Sequence, residues 1–254
     1  MINNEKKNDN NLTNKNKNAS NEVEIIKMSK IREIIAKKMT VAKTEIPDVT
    51  LTEEVDITDL VILRKRLKNE LEPQGIKITY MAFIAKAVIS ALKEFPLFNS
   101  SFDSENNEII IKKFINLGIA IDTPRGLIVP NIKNANKLNI IELAQEIHKL
   151  AQSGQSGKLT LSQLQNGTFT LSNFGTIGGL QCTPIINLPE LSILGIGKIV
   201  KKPIVKEDNI VIADILHLSL SFDHRIIDGA DASRFIQKIS TFLHDITELE
   251  KHIF

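Results

Sequence analysis

The sequence predicts an α/β (α+β) fold in which a mixed sheet packs against flanking helices. Stretches with helical spacing of apolar residues occur among strand-like stretches, and the strands dominate the middle and the last third of the chain. The stretch 79–94 is apolar on most sides, which is typical of a central helix. With 254 residues and 42% hydrophobic content, the chain can build one large core or two small ones.

Composition excludes several classes of protein. The net charge is +2, with 32 basic and 30 acidic residues, and Trp is absent, so neither a basic surface nor a stacking platform for nucleic acid is indicated. No apolar run approaches the ~20 residues of a membrane span, and the N-terminus lacks the apolar core of a secretory signal. The lone Cys182 cannot form an intramolecular disulfide. We therefore expect a soluble protein of the cytoplasm or an organelle matrix.

The first 24 residues differ from the rest of the chain. They contain nine Asn and four Lys and almost no apolar side chain, so they cannot bury enough surface to offset the entropy of ordering. We interpret residues 1–24 as a disordered tail or linker and residues 25–254 as the globular domain. A low-complexity extension without function is the alternative.

The elements of the first half follow from spacing and from capping residues. Ser29 caps a basic amphipathic helix that ends before Pro47. The basic face of this helix either binds a partner or is exposed to solvent. Further elements are a strand at 49–55, a helix opened by Asp56 or Thr58 and stopped at 73–75, the central helix at 79–94, and strands at 108–114, 116–121 and 126–130.

The second half continues with helices and strands. Asn139 and Glu142 form a capping-box pattern that opens a helix with apolar positions up to Leu150. The remaining predicted elements are a flexible loop at 153–157, a short helix at 159–165, a strand at 168–172, a glycine-rich loop at 173–179, strands at 191–200, 203–213 and 215–222, and a helix at 230–243.

The first candidate site is a charged segment at the end of an apolar strand. His224 stands between Asp223 and Arg225, and Asp228 follows shortly after. Charges at the end of a buried strand need partners, and such an arrangement marks a functional site more often than a scaffold. A neutral imidazole is the natural proton acceptor near pH 7. Zinc binding competes as an interpretation, but His-x-x-x-Asp without further Cys or His lacks the spacing of a metal site.

The second candidate site is Ser172, which ends a strand and enters the glycine-rich loop. Its hydroxyl is placed to stabilise a developing oxyanion, although serines at strand ends are common. The loop lacks the spacing of a P-loop or a dinucleotide fingerprint. Cys182 could act as a nucleophile with His224 as its base, but its neighbours offer no thiolate stabilisation and a structural role is favoured. A base and a hydroxyl donor without a protein nucleophile indicate direct group transfer.

Several collinear motifs extend over about residues 27–245. They are DHRIIDGADASRF, GTFTLSNFGTIGG, TPIINLPELSILGIGKI, NLGIAIDTPRGLIVPNI, GIKITYMAFIAKA and EFPLFN. Together they resemble the catalytic, inner-core domain of the dihydrolipoyl acyltransferase components of 2-oxo-acid dehydrogenase complexes.

The resemblance implies a chloramphenicol-acetyltransferase-like two-layer sandwich, trimers with active sites between subunits, and assembly into 24-mers or 60-mers. It implies acyl transfer between coenzyme A and a dihydrolipoyl thiol, with His224 as the base, Ser172 at the oxyanion and Asp228 supporting the histidine. Arg225 and Arg32 are candidate partners of Asp228. The positions that match the family's coenzyme A site are Arg64, Thr79, Asp122, Ser172, Asn173 and Gly197.

The sequence departs from the family pattern in three places. The family usually carries lipoyl and peripheral-subunit-binding domains before the core, and residues 1–24 contain no lipoylation hairpin. We therefore expect the lipoyl group to come from another domain or chain, with other components of a dehydrogenase complex as partners. Asp48 stands where many relatives have His, and residues 179–184 vary among relatives, so the acyl group stays open.

Two other functions use the same sequence features. One is an oligomeric scaffold that keeps the fold and lacks transferase activity, which the missing lipoyl domains favour and the intact His224, Asp228 and Ser172 disfavour. The other is a free coenzyme A-dependent acyltransferase that modifies another small acceptor.

Overall fold

A computed structural model describes residues 23–124 and 126–254 of the protein. The tail predicted for residues 1–24 lies, up to residue 22, outside the described part. The helices in that part are α1 (Lys30–Glu45), α2 (Thr58–Leu71), α3 (Tyr80–Glu94), α4 (Ile140–Gln155), α5 (Leu161–Leu164), α6 (Gly229–His244) and α7 (Ile246–Glu250). The strands are β1 (Asp48–Asp56), β2 (Ser100–Asp103), β3 (Glu108–Ile111), β4 (Leu117–Ile119), β5 (Asn131–Ile132), β6 (Phe169–Asn173), β7 (Ser192–Lys206) and β8 (Asn209–Asp223).

Six of these strands form one mixed sheet in the order β1-β8-β7-β6-β4-β5. Strand β6 runs parallel to both of its neighbours, β4 and β7, whereas the β1–β8, β7–β8 and β4–β5 pairs are antiparallel. Strands β2 and β3 form a separate hairpin. The carboxyl ends of β4, β6 and β7 therefore meet at one edge of the sheet, and β8 ends at the opposite edge.

The two faces of the sheet differ in chemistry. Along β8, alternate side chains from Leu216 to Phe222 are fully buried in the main core with α3 and α6, which satisfies the two-residue period of a strand. The intervening residues, Ser219 and Ser221 among them, point to the other face, where Ser221 Oγ lies 2.6 Å from Thr50 Oγ1. A polar face next to an apolar one makes the sheet one half of a two-layer structure.

Helix α3 is buried on most sides and is the centre of the helical layer, as its sequence predicts. Helix α1, in contrast, is mostly exposed. Ser29 Oγ caps α1 by accepting a hydrogen bond from Arg32 N at 3.3 Å, but Ala42 is the residue of α1 that the described chain buries. Ile34 and Val41 of α1 stay exposed.

The long hairpin of β7 and β8 differs from the sequence prediction. Three strands were expected between residues 191 and 222, whereas two strands pair from Ser192↔Phe222 to Lys206↔Asn209. The turn between them is Glu207-Asp208, with φ values of 50° and 61°. Left-handed turns usually carry Gly or Asn, so the sequence gives little signal of this turn.

Two other expectations also fail locally. The predicted strand at 126–130 makes only an isolated bridge between Ile128 and Ile121, and the ladder strand is β5 instead. The loop expected at 153–157 is mostly helical, since α4 continues to Gln155. Gly154 is buried there, and a Cβ on it would lie 3.4 Å from Ile128 and 3.5 Å from Ile121, so tertiary packing overrides the weak helix propensity of the segment. The capping box of Asn139 and Glu142 is confirmed.

An aromatic cluster joins α6 to the sheet and to the end of α3. The ring of Phe235 stacks on Phe98 with centroids 4.0 Å apart and packs against Phe95 and Phe169 at 6.1 and 5.8 Å. Phe235 itself is fully buried. Because α6 follows His224 directly, this cluster fixes the helix that anchors the charged segment.

A buried carboxyl group lies in the segment that leads into β7. Glu190 accepts hydrogen bonds from Thr170 Oγ1 at 2.6 Å and from Asn187 Nδ2 at 3.0 Å, and full burial raises its pKa to about 7. A Cβ on Gly167 would lie 2.7 Å from Glu190 Oε1 and 2.5 Å from Asn131 Oδ1. Asn131 Oδ1 accepts no hydrogen bond from the described residues. A protonated Glu190 places an O–H donor in this polar cluster, so the neutral acid suits the site.

No helix of the described residues has both the length and the apolar content that crossing a bilayer requires.

Truncating Phe235 should strongly destabilise the fold. We expect Phe235→Ala to lower the free energy of unfolding by about 3–5 kcal/mol, because a fully buried ring leaves a cavity among three aromatic neighbours. Urea unfolding followed by circular dichroism measures the change. Leu161→Ala, at an exposed position of α5, is the control and should change stability little. Equal unfolding midpoints for the two variants would contradict the role given to the cluster.

Glu190 should make stability depend on pH. Its pKa is about 7 when folded and near 4.5 when exposed, so the unfolded chain releases this proton first as pH rises. The contribution of Glu190 to stability is therefore greatest below pH 4.5 and falls until about pH 7, by up to roughly 3 kcal/mol. Glu190→Gln should remove this component, and Glu105→Gln, in an exposed turn, should retain it. Urea midpoints at pH 5 and pH 8 test this, and an unchanged pH dependence in Glu190→Gln would refute it.

Candidate functional site

A tight turn after β8 holds the charged segment. Asp223 is fully buried, and both of its carboxylate oxygens accept hydrogen bonds from the guanidinium of Arg225, from Nε at 3.0 Å and from Nη2 at 2.7 Å. The backbone N–H groups of Ile226 and Ile227 donate to Asp223 O, which closes the turn. The hydrogen bond with Asp223 raises the pKa of Arg225, so the guanidinium stays charged. The guanidinium also lies 5.1 Å from the ring centroid of Phe102.

His224 stands on this turn with its side chain exposed. Its backbone N–H donates to Pro47 O at 3.1 Å, and its ring centroid lies 5.7 Å from that of Phe222. Neither ring nitrogen makes a hydrogen bond to the part of the chain that the structure describes. The imidazole is therefore held on a rigid backbone and is available to an incoming group.

Asp228 is the residue before the first turn of α6. Its carbonyl accepts the N–H of Ala232 at 2.9 Å, while its carboxylate is exposed and does not cap the helix. The expected partners of Asp228 are not its partners in one chain, since Arg225 pairs with Asp223 and Arg32 lies 4.0 Å from a Cβ built on Gly126. Arg225 pairs with Asp223 because this nearer carboxylate is buried and needs the cation more.

Ser172 lies on the face of the sheet that carries the polar residues of β8. It pairs with Gly195 of β7, and Gly195 pairs with Ser219 of β8. Its side chain is half-buried. The hydroxyl makes no hydrogen bond to the described residues, so it is free to donate to a bound group.

The glycine-rich loop after Ser172 folds back onto β7. The N–H groups of Phe174 and Gly175 both donate to Ile196 O at 3.1 Å, and Gly179 O accepts from Lys198 N at 2.8 Å. A Cβ on Gly175 would lie 2.2 Å from Gly197 O, so only glycine permits this approach. The loop and the strand thus form one wall.

A pocket of about 240 Å³ lies against this wall. Asn173 and Gly197 line it together with Tyr80. The guanidinium of Arg64 lies 5.2 Å from the Tyr80 ring centroid, and its Nε donates to Ile78 O at 3.3 Å. Thr79 is the residue before α3. Two of the six predicted coenzyme A positions, Asn173 and Gly197, therefore line one pocket. Arg64 and Thr79 adjoin its wall residue Tyr80, and Ser172 precedes Asn173 on β6.

Asp122 lies apart from that pocket. It follows β4, its carbonyl accepts a hydrogen bond from Gln155 Nε2 at 2.6 Å, and it lines a separate hollow with Arg32 and Pro124. Asp122, Asn173 and Gly197 still share the sheet edge where β4, β6 and β7 end or bend. Ligands of open α/β sheets bind at such carboxyl edges.

His224 and Ser172 lie at opposite edges of the sheet. Ser172 is level with Ser219, which precedes His224 by five residues on β8 and its turn. With roughly 3.3 Å per residue and 4.8 Å per strand, the two residues are separated by about 16 Å along the strands and about 10 Å across them. One chain therefore does not bring the predicted base and the predicted hydroxyl donor together.

Two contributors to the site were missing from the sequence prediction. One is the Asp223–Arg225 pair, for which the adjacent opposite charges were a visible signal. The other is Tyr80, which joins Arg64 to the pocket wall across the gap between α2 and α3. A single tyrosine at the start of an apolar helix carries no periodic signal of such a role.

The arrangement offers an exposed imidazole, a free hydroxyl and a pocket with a cation beside it. Within residues 23–124 and 126–254, no group of three or more His, Cys, Asp or Glu side chains is placed to hold a metal ion. Cys182 is half-buried, and burial raises the pKa of its thiol, which does not favour a nucleophilic thiolate. Acid–base assistance of a transfer between bound groups is the chemistry that these residues can provide.

Comparison with known proteins gives consistent results. The family model described as "2-oxoacid dehydrogenases acyltransferase (catalytic domain)" matches residues 20–250. The chain is 51% identical over 228 residues to the dihydrolipoyllysine-residue acetyltransferase component of the pyruvate dehydrogenase complex of Acholeplasma laidlawii. That match covers 90% of this chain and 42% of the relative, so the chain spans about half the length, or less, of such relatives.

Two solved structures with 38% sequence identity superpose with a TM-score of 0.87, covering 90% of this chain and 94% of theirs. One is the Azotobacter vinelandii dihydrolipoamide acetyltransferase, studied for the role of a serine, a histidine and an asparagine in its catalytic mechanism. The other is described as the cubic core of the pyruvate dehydrogenase multienzyme complex. The predicted fold class and the predicted family are confirmed. The chain belongs to the family of 2-oxoacid dehydrogenase acyltransferase catalytic domains.

Proposed function

We propose that this chain transfers an acyl group between a dihydrolipoyl thiol and coenzyme A, as the catalytic domain of a 2-oxo-acid dehydrogenase complex. The observation that carries the proposal is the exposed imidazole of His224 on a turn fixed by the ion pair of the buried Asp223 with Arg225. The acetyl group is favoured, because the relatives that match over most of this chain are named as acetyltransferase components of pyruvate dehydrogenase.

The relative from Azotobacter supports the choice of residues. The serine, histidine and asparagine studied in that enzyme have the same separations along its chain as Ser172, His224 and Asp228 have here. At the third position this chain carries a carboxylate instead of an amide. Asp228 is exposed at the start of α6, where it can meet a partner from outside the chain.

The reaction needs one base and one hydrogen-bond donor. His224 takes the proton from the thiol of coenzyme A, and the thiolate sulfur attacks the carbonyl carbon of the acyl-dihydrolipoyl thioester. The carbonyl oxygen becomes an oxyanion that accepts a hydrogen bond from the Ser172 hydroxyl. Collapse of the intermediate breaks the carbon–sulfur bond to the lipoyl group. The departing dihydrolipoyl sulfur then receives the proton from the His224 imidazolium.

The pocket beside Asn173 and Gly197 suits part of coenzyme A. Arg64 and the first turn of α3 after Thr79 supply a cation and free backbone N–H groups, which favour phosphate. A pocket of about 240 Å³ is smaller than a typical ligand site, so one chain accommodates only a section of coenzyme A. The proposed contacts of coenzyme A at this pocket are Arg64, Thr79, Asn173 and Gly197. Ser172 lies toward the reacting end of coenzyme A, and Asp122 lies toward the adjoining strand β4.

The placement of the catalytic residues supports a site shared between copies of the chain. Because His224 and Ser172 lie at opposite sheet edges, a neighbouring copy must bring its own edge to complete each site. A ring of three copies satisfies this requirement for every chain. The neighbour described as a cubic core supports assembly of such trimers into a larger shell, and the choice between 24 and 60 copies stays a prediction.

The acyl-carrying arm comes from outside the described residues. We propose that residues 25–254 act as the catalytic domain and that a lipoyl group on another domain or chain delivers the acyl group. Coenzyme A is then a substrate, and lipoyl-bearing and dehydrogenase components are the partners. The location in the cytoplasm or an organelle matrix stays a prediction.

Removal of the imidazole should abolish most of the activity. We expect His224→Ala to lower kcat by at least ~10²-fold with acetyl-coenzyme A and dihydrolipoamide, because a general base typically contributes about 10²–10⁴-fold. A spectrophotometric thioester assay measures the rate. His148→Ala on the outer helix α4 is the control and should retain wild-type turnover. Equal rates for wild type and His224→Ala would overturn the assignment of the base.

Mixing two inactive variants tests the shared site. His224→Ala and Ser172→Ala chains, co-expressed in equal amounts, should recover about one quarter of the wild-type activity if base and hydroxyl come from different copies that associate at random. Each variant alone should stay ~10²-fold or more below wild type. Activity of the mixed assemblies no higher than that of the single variants would show that each site lies within one chain.

A further inference from the structure

His217 is buried in the middle of β8 at an irregularity of the β7–β8 ladder. The pairing runs to Ile196↔Leu218 and resumes at Ile199↔Leu216, so Gly197 and Lys198 together oppose His217. Two residues opposite one define a β-bulge, which redirects the chain locally and commonly occurs beside functional sites. Only 2% of the His217 surface is exposed.

Both ring nitrogens of His217 face hydrogen-bond acceptors. Nδ1 lies 3.1 Å from Lys198 O, in the bulge, and Nε2 lies 3.2 Å from Glu54 Oε1, on β1. The side-chain hydrogen bond from Lys202 lowers the pKa of Glu54, so Glu54 is a carboxylate and can only accept. A neutral imidazole has one N–H and satisfies one of these acceptors. The imidazolium satisfies both.

The charged and titratable groups around the ring come from three elements. Glu54 from β1 is the facing anion, and Lys202 from β7 donates to the same Oε1 at 2.6 Å. Lys198 offers its carbonyl, while its own side chain is exposed. The loop that covers this face of the sheet contributes Cys182, whose thiol burial keeps protonated. One carboxylate is thus shared between the ammonium of Lys202 and the ring.

The bulge is also the wall of the pocket proposed for coenzyme A. Lys198 N donates to Gly179 O at 2.8 Å, and Gly197 approaches the glycine-rich loop so closely that a Cβ on it would lie 2.0 Å from Leu180 O. Gly197 and Lys198 line the pocket together with Asn173. The hydrogen bond from His217 Nδ1 to Lys198 O therefore connects the buried ring to a residue that lines the pocket.

We propose that His217 is a positioning residue, whose ring holds the Gly197–Lys198 bulge against Glu54 and thereby shapes the pocket wall. Without the ring, Lys198 O loses its side-chain donor, and Glu54 keeps the hydrogen bond from Lys202 but loses the contact with the ring. The bulge and the loop from Phe174 to Leu180 then loosen. The affinity for coenzyme A decreases as a result.

This proposal rests on the proposed function only in the identity of the ligand. Its experiment accordingly has two readouts, both made on the assembled protein. Hydrogen–deuterium exchange of peptides covering 174–181 and 196–200 reports the bulge and the loop without any ligand. Titration calorimetry with coenzyme A, together with KM and kcat, reports the pocket.

Three variants separate the contributions. His217→Leu removes both donors, His217→Gln keeps an uncharged donor for Lys198 O, and His148→Gln on α4 is the matched control. We expect His217→Leu to raise the KM for coenzyme A roughly tenfold and to leave kcat within about twofold, as the loss of a buried hydrogen bond implies. Exchange in both peptides should increase. His217→Gln should recover part of the affinity, and His148→Gln should bind coenzyme A as wild type does.

The outcomes distinguish the two proposals. If wild-type protein binds no coenzyme A while exchange responds to the variants as expected, the ligand assignment is wrong and the positioning role stands. Unchanged exchange in His217→Leu would overturn the positioning role. If His217→Leu does not fold, His217→Gln decides the question: exchange and KM both equal to wild type would overturn the role, because one amide nitrogen cannot replace both ring nitrogens.

Discussion

The continuous pairing of β7 with β8 is the constraint on which the arrangement of the site depends. Each strand has 15 residues, and the hairpin passes through the centre of the sheet with β1 on one side and β6 on the other. One stretch of this pair carries Gly195, opposite Ser172, and the bulge at Gly197. The end of β8 carries His224. A stiff hairpin therefore fixes the positions of Ser172 and His224 relative to each other.

Burial of charge holds the rest of the site in place. Asp223 is the last residue of β8 and is fully buried, and Arg225 neutralises it with bidentate geometry. A buried carboxylate left without this partner would cost several kcal/mol, so the turn has one stable conformation. The helix α6 continues from that turn and is fixed by the aromatic contacts of Phe235. These neighbours fix the position of His224, and its ring nitrogens make no hydrogen bond to the described residues.

Local signals predicted most of the fold. Capping residues and apolar spacing identified α1, α3, α4 and α6, because caps and helical periodicity are written in neighbouring residues. The turn at Glu207-Asp208 was missed, since its left-handed backbone is imposed by the long ladder on either side. The extension of α4 through Gly154 was missed for the same reason, as its contacts with Ile121 and Ile128 are distant in sequence.

The candidate site was predictable only in its parts. The motif around His224 and the strand end at Ser172 are visible along the chain, and the family resemblance assigned their roles. That Arg225 belongs to Asp223 depends on which carboxylate is buried, and burial is a property of the folded sheet. The separation of His224 from Ser172 depends on strand order, and the role of Tyr80 depends on how α2 lies against α3. None of these is encoded in the spacing of adjacent residues.

The placement of His224 and Ser172 at opposite edges of the sheet has a consequence for when the protein becomes active. Under the proposed function, a newly synthesised chain is folded but inactive until it associates with other copies. Dilution, or a defect in association, switches the enzyme off without unfolding a single domain. Acyl transfer then takes place only in the complete assembly, so turnover depends on quaternary structure.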